Sequence, residues 1–414
     1  MENKLTIDGE FKRAVPILDK IIEAGFEAYF VGGSVRDRLL NLEVNDVDIA
    51  TSAHPYEIKQ IFNRTVDVGI EHGTVLVLYN DDSYEITTFR TESTYKDFRR
   101  PDSVTFVRSL REDLKRRDFT MNAIAVDING YVFDPYEGIK DLKAGIIRAV
   151  GNPHERFQED ALRMMRAVRF AAQLDFEIEK ETQNSIKDNA ALLQNIAVER
   201  IQIEFEKLLI SQWRSKGLQA MIQSQLYMYC PDLANKKAAL VSLISDNISF
   251  KNAESAWAFL LYKIDEYYPG TDFKPVRFLK KWKLSNKMIQ DALTLFDGLK
   301  FRIKNEEINA WEIFNLGKES ALEVEELMKH LGAETKHEEV LSVYNRLSIH
   351  KKDELDISGH DLMQRTSEKP GKWMSEAIEA SLKAVVYNEI NNEKEAIIQW
   401  LDKENKIPYQ NDDK

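Results

Sequence analysis

Asn45-Asp46-Val47-Asp48-Ile49-Ala50-Thr51 begins twelve residues after the pair Gly32-Gly33, and this stretch decides how the chain is read. Acidic and apolar residues alternate, as on a strand with one buried face, so Asp46 and Asp48 are expected to share a face. Two carboxylates side by side repel each other unless a cation lies there. Mg²⁺ is typically held by one or two carboxylates together with substrate phosphates. An Asp-x-Asp alone is weak evidence, because most such pairs are solvated turn residues. Its surroundings carry the argument.

Upstream, Ala28-Tyr29-Phe30-Val31 reads as a short buried strand, Gly32-Gly33-Ser34 breaks it, and Val35-Arg36-Asp37-Arg38-Leu39-Leu40 reads as a helix with Ser34 placed to cap it. Backbone N–H groups in such a turn approach phosphate oxygens closely, and the helix dipole favours the negative charge. Arg36, in the first helical turn, is placed to reach a triphosphate. A glycine turn followed by an Asp-x-Asp strand at this spacing points to nucleotidyl transfer.

Here the chain resembles a known family. Gly32-Gly33-Ser34-Val35-Arg36-Asp37 with Asp46-Val47-Asp48 is similar to the first motif of the polymerase-β-like nucleotidyltransferases. Arg116-Arg117-Asp118-Phe119-Thr120-Met121-Asn122-Ala123 resembles the second motif of the class II tRNA nucleotidyltransferases, the CCA-adding enzymes. Their nucleotide-selecting motif is resembled by residues 159–170, Glu159-Asp160-Ala161-Leu162-Arg163 through Arg166 and Arg169 to Phe170, and their next helical motif by Val198-Glu199-Arg200-Ile201. The motifs keep the family's order, and weaker similarity runs on to the Trp400 region.

The expected fold is α+β: a polymerase-β-like head of mixed β-sheet with helices, followed by an all-helical neck, body and tail. The head is expected at 1–150 and carries catalysis. The neck is expected at 151–212 for nucleotide selection, the body at 213–304 for tRNA binding, and the tail at 305–414 for the tRNA elbow. In the head, a first helix places Phe11, Val15, Leu18 and Ile22 at helical spacing. Strand-like stretches follow at Tyr29–Val31, Val47–Ala50, Thr74–Tyr79 and Tyr84–Phe89, and Asn129-Gly130 signals a hairpin. After Val150-Gly151-Asn152-Pro153 strand signals almost vanish, and Glu155–Ala172 reads as one long helix.

Composition agrees with this class. One cysteine, Cys230, excludes a disulfide framework and a cysteine-based zinc site. The N-terminus lacks the pattern of a signal peptide and no apolar run approaches a membrane span, so the protein is expected to be cytoplasmic, with no membrane association and no obligate protein partner. Net charge is −12, which on its face disfavours a polyanionic partner. Residues 305–414, however, hold 24 acidic and 14 basic residues, leaving only −2 on the rest of the chain. The acidity belongs to the last quarter and does not veto RNA. Lys280, Lys281, Lys283 and Lys287 surround Trp282, a pattern that suits an RNA backbone; a helix packing Phe278 and Trp282 inward explains the same spacing and is preferred.

The resemblance implies a site. Asp46 and Asp48 are the expected metal ligands for Mg²⁺, and Glu85 is a third carboxylate that helps activate the attacking hydroxyl. Gly33 and Arg36 hold the triphosphate of ATP or CTP. Arg117 contacts the nucleotide, with Asp118 and Asn122 in support. Asp160 and Arg163 select the base, and Arg166 and Arg169 contact the nucleotide. A carboxylate accepts from an exocyclic amino group while a guanidinium donates to the adjacent ring nitrogen. Cytosine and adenine present that pattern; guanine and uracil present its reverse. On an uninterrupted helix, at about 100° per residue, Glu159 lies between Arg163 and Arg166 and is placed to brace both. Residues 91–105 resemble the family's flexible loop, whose presence favours full CCA or terminal-A addition. An A-adding enzyme with a separate CC-adding partner, a poly(A) polymerase and a non-catalytic RNA-binding protein remain as alternatives.

Overall fold

The computed structural model describes residues 4–92, 104–244, 249–270, 272–305, 307–366 and 368–408. The chain divides into two compact units: Met1–Ser249 with Phe278–Leu284, and Phe250–Arg277 with Ser285–Lys414.

The first unit opens with helix α1 (Gly9–Glu23), whose buried stripe is Phe11, Ala14, Ile17, Leu18 and Ile21. The expected stripe is displaced by one position on part of the helix: Val15 is half-buried and Ile22 exposed. Strand β1 (Ala28–Val31) leads directly into helix α2 (Gly32–Leu39), and β2 (Asp48–Thr51) into helix α3 (Pro55–Ile61). Strands β3 (Thr65–Gly69), β4 (Thr74–Tyr79) and β5 (Asp82–Thr88) follow. Strands β6 (Arg90–Glu92) and β7 (Val104–Phe106) pair as a separate antiparallel ribbon. The two ends of the expected flexible loop are therefore strand, while its centre lies outside the described residues. Helix α4 (Leu110–Lys115) precedes a short hairpin of β8 (Ala125–Val126) and β9 (Val132–Phe133), closed through Asn129-Gly130 as expected.

Among the described residues seven of these strands form one mixed sheet in the order β3-β4-β5-β2-β1-β8-β9. Only β2 and β5 run parallel; the other pairings are antiparallel. The central strands β1 and β2 are buried along almost their whole length, which fits their apolar runs. Register then places the chemistry. Val31 pairs with Asp48, so Asp48 stands opposite the residue that precedes the glycine turn. Ile49 pairs in parallel with Ile86, so their predecessors Asp48 and Glu85 fall side by side.

Helix α5 (Gly138–Ala144) and strand β10 (Ile146–Ile147) close the head, and β10 pairs in parallel with β11 (Glu177–Ile178), a short ribbon that the sequence signals did not reveal. Between them run helices α6 (Pro153–Glu159) and α7 (Leu162–Leu174), and beyond them α8 (Lys180–Asn189), α9 (Val198–Leu209) and α10 (Arg214–Gln223). The expected single helix 155–172 is in fact two. Asp160 lies between them in extended conformation (φ −137°, ψ 103°). Trp282 is fully buried in this unit and stacks on Phe205 at 4.7 Å, so the lysines around it serve a core tryptophan.

The second unit is helical among its described residues. Trp257 is fully buried, while Trp311, Trp373 and Trp400 lie half-buried against a cluster that includes Leu362, Val385, Ile397 and Leu401. Trp213, in the first unit, is 39% exposed and does not act as a core anchor.

Helix α7 carries the site arginines, and what holds it is close packing. A Cβ on Gly217 of α10 would stand 2.4 Å from the Val168 carbonyl oxygen and 2.7 Å from the Ala172 Cβ, both on α7. Overpacking of this kind costs about 1–3 kcal/mol. Gly217→Ala is therefore expected to lower the denaturant midpoint by that equivalent, whereas Gln219→Ala, at an exposed position of α10, stays within about 0.5 kcal/mol of the parent.

Candidate active site

The glycine turn is built differently from the simple expectation. Ser34 does not cap α2: it lies inside the helix, and its hydroxyl donates to the Val31 carbonyl at 3.0 Å. The cap position is Val31, which offers no side-chain acceptor, so the first amides of α2 are left for an anion. Gly32 sits at φ +76°, the left-handed region that favours glycine, and a Cβ there would meet Asp48 Oδ2 at 3.0 Å and Arg117 Nη1 at 3.2 Å. Gly33, singled out from sequence, has only Arg36 Nη2 within 4 Å, at 3.6 Å. The sterically constrained glycine is Gly32.

The carboxylates come next. Strand β2 begins at Asp48, so Asp46 precedes it; nevertheless Val47 and Ile49 are buried while Asp46 and Asp48 are exposed. Glu85 is exposed as well, beside Asp48. The walls of the site take Asp48 partly out of water and raise its pKa; Arg117 opposes the rise, and Glu85 and Asp46 add to it. Among the described residues, no three His, Cys, Asp or Glu side chains stand together as a ready-made ligand set. Paired aspartates with a third carboxylate nearby, of which Asp48 reaches the arginine-lined cleft, fit a hard divalent ion that shares its ligands with a substrate.

Besides Asp48 the cleft is lined by arginines, each held by an acid or amide. Asp113, fully buried on α4, accepts from Arg116 Nη2 at 2.8 Å and from Arg117 Nη2 at 3.3 Å. Arg36 donates to Asp37 at 2.8 Å and to the Asn122 side-chain oxygen at 2.9 Å. Asn122 in turn donates to Asp118 at 2.9 Å, and Arg166 donates to the other Asp118 oxygen at 2.7 Å. Burial alone would push the Asp118 carboxyl up, but Arg166, Asn122 and Arg163 outweigh it and hold the group well below the usual carboxylate range. Burial likewise disfavours charge on Arg166, but Asp118 and Glu204 more than compensate, and its pKa is raised.

The break at Asp160 decides which partners its carboxylate meets. Asp160 Oδ1 accepts from the Leu162 amide at 3.0 Å, and Oδ2 accepts from Arg200 Nη2 at 2.9 Å. Arg163 is fixed independently, by Glu159 at 2.7 Å and by the carbonyls of Arg116 at 2.9 Å and Arg156 at 3.1 Å. Glu159 thus braces Arg163, as the spacing expected. It does not brace Arg166; its second partner is Arg156, and Arg166 turns to Asp118. Arg169 pairs with buried Glu204.

A cleft of about 360 Å³ brings together Gly33, Arg36, Asp48, Arg117, Asp160, Arg163 and Arg166. Asp46, Glu85 and Arg169 do not line it. Gly32, Arg116, Asp118, Asn122, Leu162 and Arg200 do. Arg116 and Arg200 had not been assigned roles from sequence; the signal for Arg200 was its place at the start of an otherwise amphipathic helix, α9. On two residues of the cleft a buried nitrogen, Arg117 Nε and Arg200 Nη1, has no hydrogen-bond partner among the described residues. An unsatisfied buried donor costs about 1–3 kcal/mol, and a bound anion or base supplies the missing acceptor.

The two aspartates respond to pH in opposite senses. Asp118, with a depressed folded pKa, contributes stability above the ordinary aspartate value that is lost as pH falls through the folded one. Asp48, with a raised folded pKa, costs stability when ionised, and that cost disappears as pH falls through its folded value. Asp48→Asn is therefore expected to melt no lower than the parent at pH 7 without divalent ions. A divalent metal ion at a hundredfold excess over its dissociation constant for the parent is expected to stabilise the parent by about 2.7 kcal/mol and the variant by less, read as a Tm shift by calorimetry.

Three family models match the chain: poly A polymerase head domain over residues 28–148, probable RNA and SrmB-binding site of polymerase A over 175–237, and tRNA nucleotidyltransferase domain 2, putative, over 248–401. The CCA-adding enzyme of Enterococcus faecalis is 50% identical over 403 residues, covering 96% of this chain and 97% of the relative. That of Ligilactobacillus salivarius is 49% identical, covering 95% and 96%. The crystal structure of the Bacillus stearothermophilus CCA-adding enzyme in complex with CTP superposes with a TM-score of 0.88 at 40% identity, over 96% of this chain and 98% of that one. The chain belongs to the family of CCA-adding enzymes.

Proposed function

We propose that this enzyme adds CCA to the 3′ end of tRNA from CTP and ATP without a nucleic-acid template. The observation that carries the reading is one cleft lined both by Asp160 and Arg163 and by Asp48 and the uncapped turn at Gly32. The amides at the start of α2 and the Arg36 guanidinium bind the triphosphate and turn its α-phosphate toward the primer. Arg117 approaches Asp48 from the phosphate side, and its unpartnered Nε is a donor for the nucleotide. The tRNA 3′-hydroxyl forms the new P–O bond, the bridging α–β P–O bond breaks, and pyrophosphate leaves. Asp46 and Asp48 are the residues to hold Mg²⁺, and Glu85 accepts the hydroxyl proton. Bound there, a divalent ion supplies Lewis-acid activation of the hydroxyl and neutralises phosphate charge.

Base choice follows from Asp160 and Arg163. Arg200 anchors Asp160 Oδ2 and Glu159 anchors Arg163, so the acceptor and the donor keep a fixed spacing while the base is exchanged. The carboxylate accepts from the amino group of C or A, and the guanidinium donates to the neighbouring ring nitrogen. Uracil and guanine put a carbonyl against the carboxylate and are refused. Arg166 and Arg169 add nucleotide contacts or hold those that make them. The segments 151–212, 213–304 and 305–414 act as neck, body and tail, and the body and tail grip the acceptor stem and elbow by shape and phosphate contacts. No helix among the described residues is long and apolar enough to cross a membrane. The cytoplasm, with its nucleotides and tRNA, is the proposed place of action.

The test incubates the protein and Mg²⁺ with transcripts ending before CCA, after the first C and after CC, with CTP and ATP separately and together, and sizes products at one-nucleotide resolution. Two C additions, then one A and a stop, are expected. Reaction on the CC-ending transcript alone would make it an A-adding enzyme, and long A ladders a poly(A) polymerase. Asp160→Ala is expected to reduce the preference for CTP over UTP in kcat/KM by a factor of about ten to a hundred, the scale of a bidentate base contact. Arg200→Met is expected to reduce it in the same direction by less, because Asp160 keeps its bond from the Leu162 amide.

A further inference from the structure

Phe170 ends the arginine-bearing stretch of α7 and is 2% exposed. Three guanidiniums gather on its ring: Arg169 at 3.9 Å from the centroid, Arg36 at 4.9 Å and Arg166 at 5.3 Å. They come from two elements. Arg36 belongs to the glycine turn and α2, whereas Arg166 and Arg169 flank Phe170 on α7. Phe119, from the segment that carries Asp118, meets the same ring edge-on at 5.8 Å.

Like charges do not converge in a partly buried place without compensation. Each guanidinium has its own acid, Asp37, Asp118 or Glu204, yet these acids do not remove all of the repulsion among the three. The cost is visible at Arg169, whose pKa is lowered by burial first and by Arg166 and Arg36 besides, against the pull of Glu204. An aliphatic side chain would fill the same space and offer the charges nothing. An aromatic ring offers its electron-rich face, which attracts each cation within about 6 Å of its centroid.

We propose that Phe170 is a positioning residue for the nucleotide: its ring holds Arg36 and Arg166 together, by cation–π attraction, in the arrangement that receives the triphosphate. This rests on the reading of the cleft as the nucleotide site. Phe170 touches no reacting atom. Its effect passes through Arg36 and Arg166, so it acts on nucleotide affinity and leaves the chemical step and the tRNA contacts alone.

Progressive fluorination tests this in the full-length enzyme, because it withdraws electron density from the ring face while nearly preserving shape. 4-Fluoro-, 3,5-difluoro- and 3,4,5-trifluorophenylalanine are installed at position 170, and KM for CTP and ATP, KM for tRNA, kcat and Tm are measured for each. The expected result is a stepwise rise of log KM for both nucleotides with each added fluorine, reaching about tenfold at three. kcat is expected to stay within about twofold, and KM for tRNA and Tm to stay level. A KM that stays flat across the series, or one that rises only where Tm falls, overturns the proposal. Arg36→Met separates the two levels of inference. If Arg36→Met raises the nucleotide KM while the fluorinated series is flat, the role of Phe170 fails and the site stands. If Arg36→Met leaves the nucleotide KM unchanged, the assignment of the site fails, and the role of Phe170 fails with it.

Discussion

Like-charge crowding is the constraint on which the rest of this structure depends. Several guanidiniums line one small cleft, and the chain must hold these like charges together there. The chain meets this with acids placed behind the arginines. Asp113 holds Arg116 and Arg117, Asp118 holds Arg166, Glu159 holds Arg163, and Glu204 holds Arg169. Removing such groups from water is expensive, and the attraction between them offsets that cost only where geometry is good and the remaining donors are satisfied. Two residues that line the cleft, Arg117 and Arg200, each keep a buried donor, Nε and Nη1, that a ligand can complete.

The same head keeps its aspartates in two contrary environments. Asp118 is buried among arginines and its charge is favoured; Asp48 stands beside other acids in a confined mouth and its charge is disfavoured. One is a fixed counter-ion for the protein's own cations. The other lies between the Arg117 cation and two further acids, Glu85 and Asp46. The burial of α7 joins these environments to the helices behind them, because Arg163, Arg166 and Arg169 all project from a helix buried on almost every side. A displacement of that helix by packing against Gly217 moves all three at once.

Where sequence reasoning succeeded, the interactions were local. The turn at Gly32-Gly33 and the alternation of Asp46 and Asp48 with buried Val47 and Ile49 span a few residues each. The ion pair of Glu159 with Arg163 joins residues four apart. Where it failed, a local rule met a competing partner. Ser34 was a reasonable cap, but its hydroxyl is taken by Val31 inside the helix. Asp160 was counted as helical, yet it ends α6 in extended conformation, which brings its carboxylate to the Leu162 amide and to Arg200. A continuous 100° step through that point therefore misplaces Arg166 relative to Glu159.

The amino-acid sequence by itself determined the kind of chemistry: paired acids after a glycine turn, and arginine-rich motifs in the order of the family. Those features rest on residue identity and short spacing, which survive any arrangement of the rest of the chain. The tertiary structure alone decided which partner each charge has. Arg36 reaches Asn122 across 86 positions, Arg166 reaches Asp118 across 48, Arg200 reaches Asp160 across 40 and Arg169 reaches Glu204 across 35. Such pairs depend on sheet register and on which helix faces touch. Periodicity along a single segment carries no information about what lies opposite it.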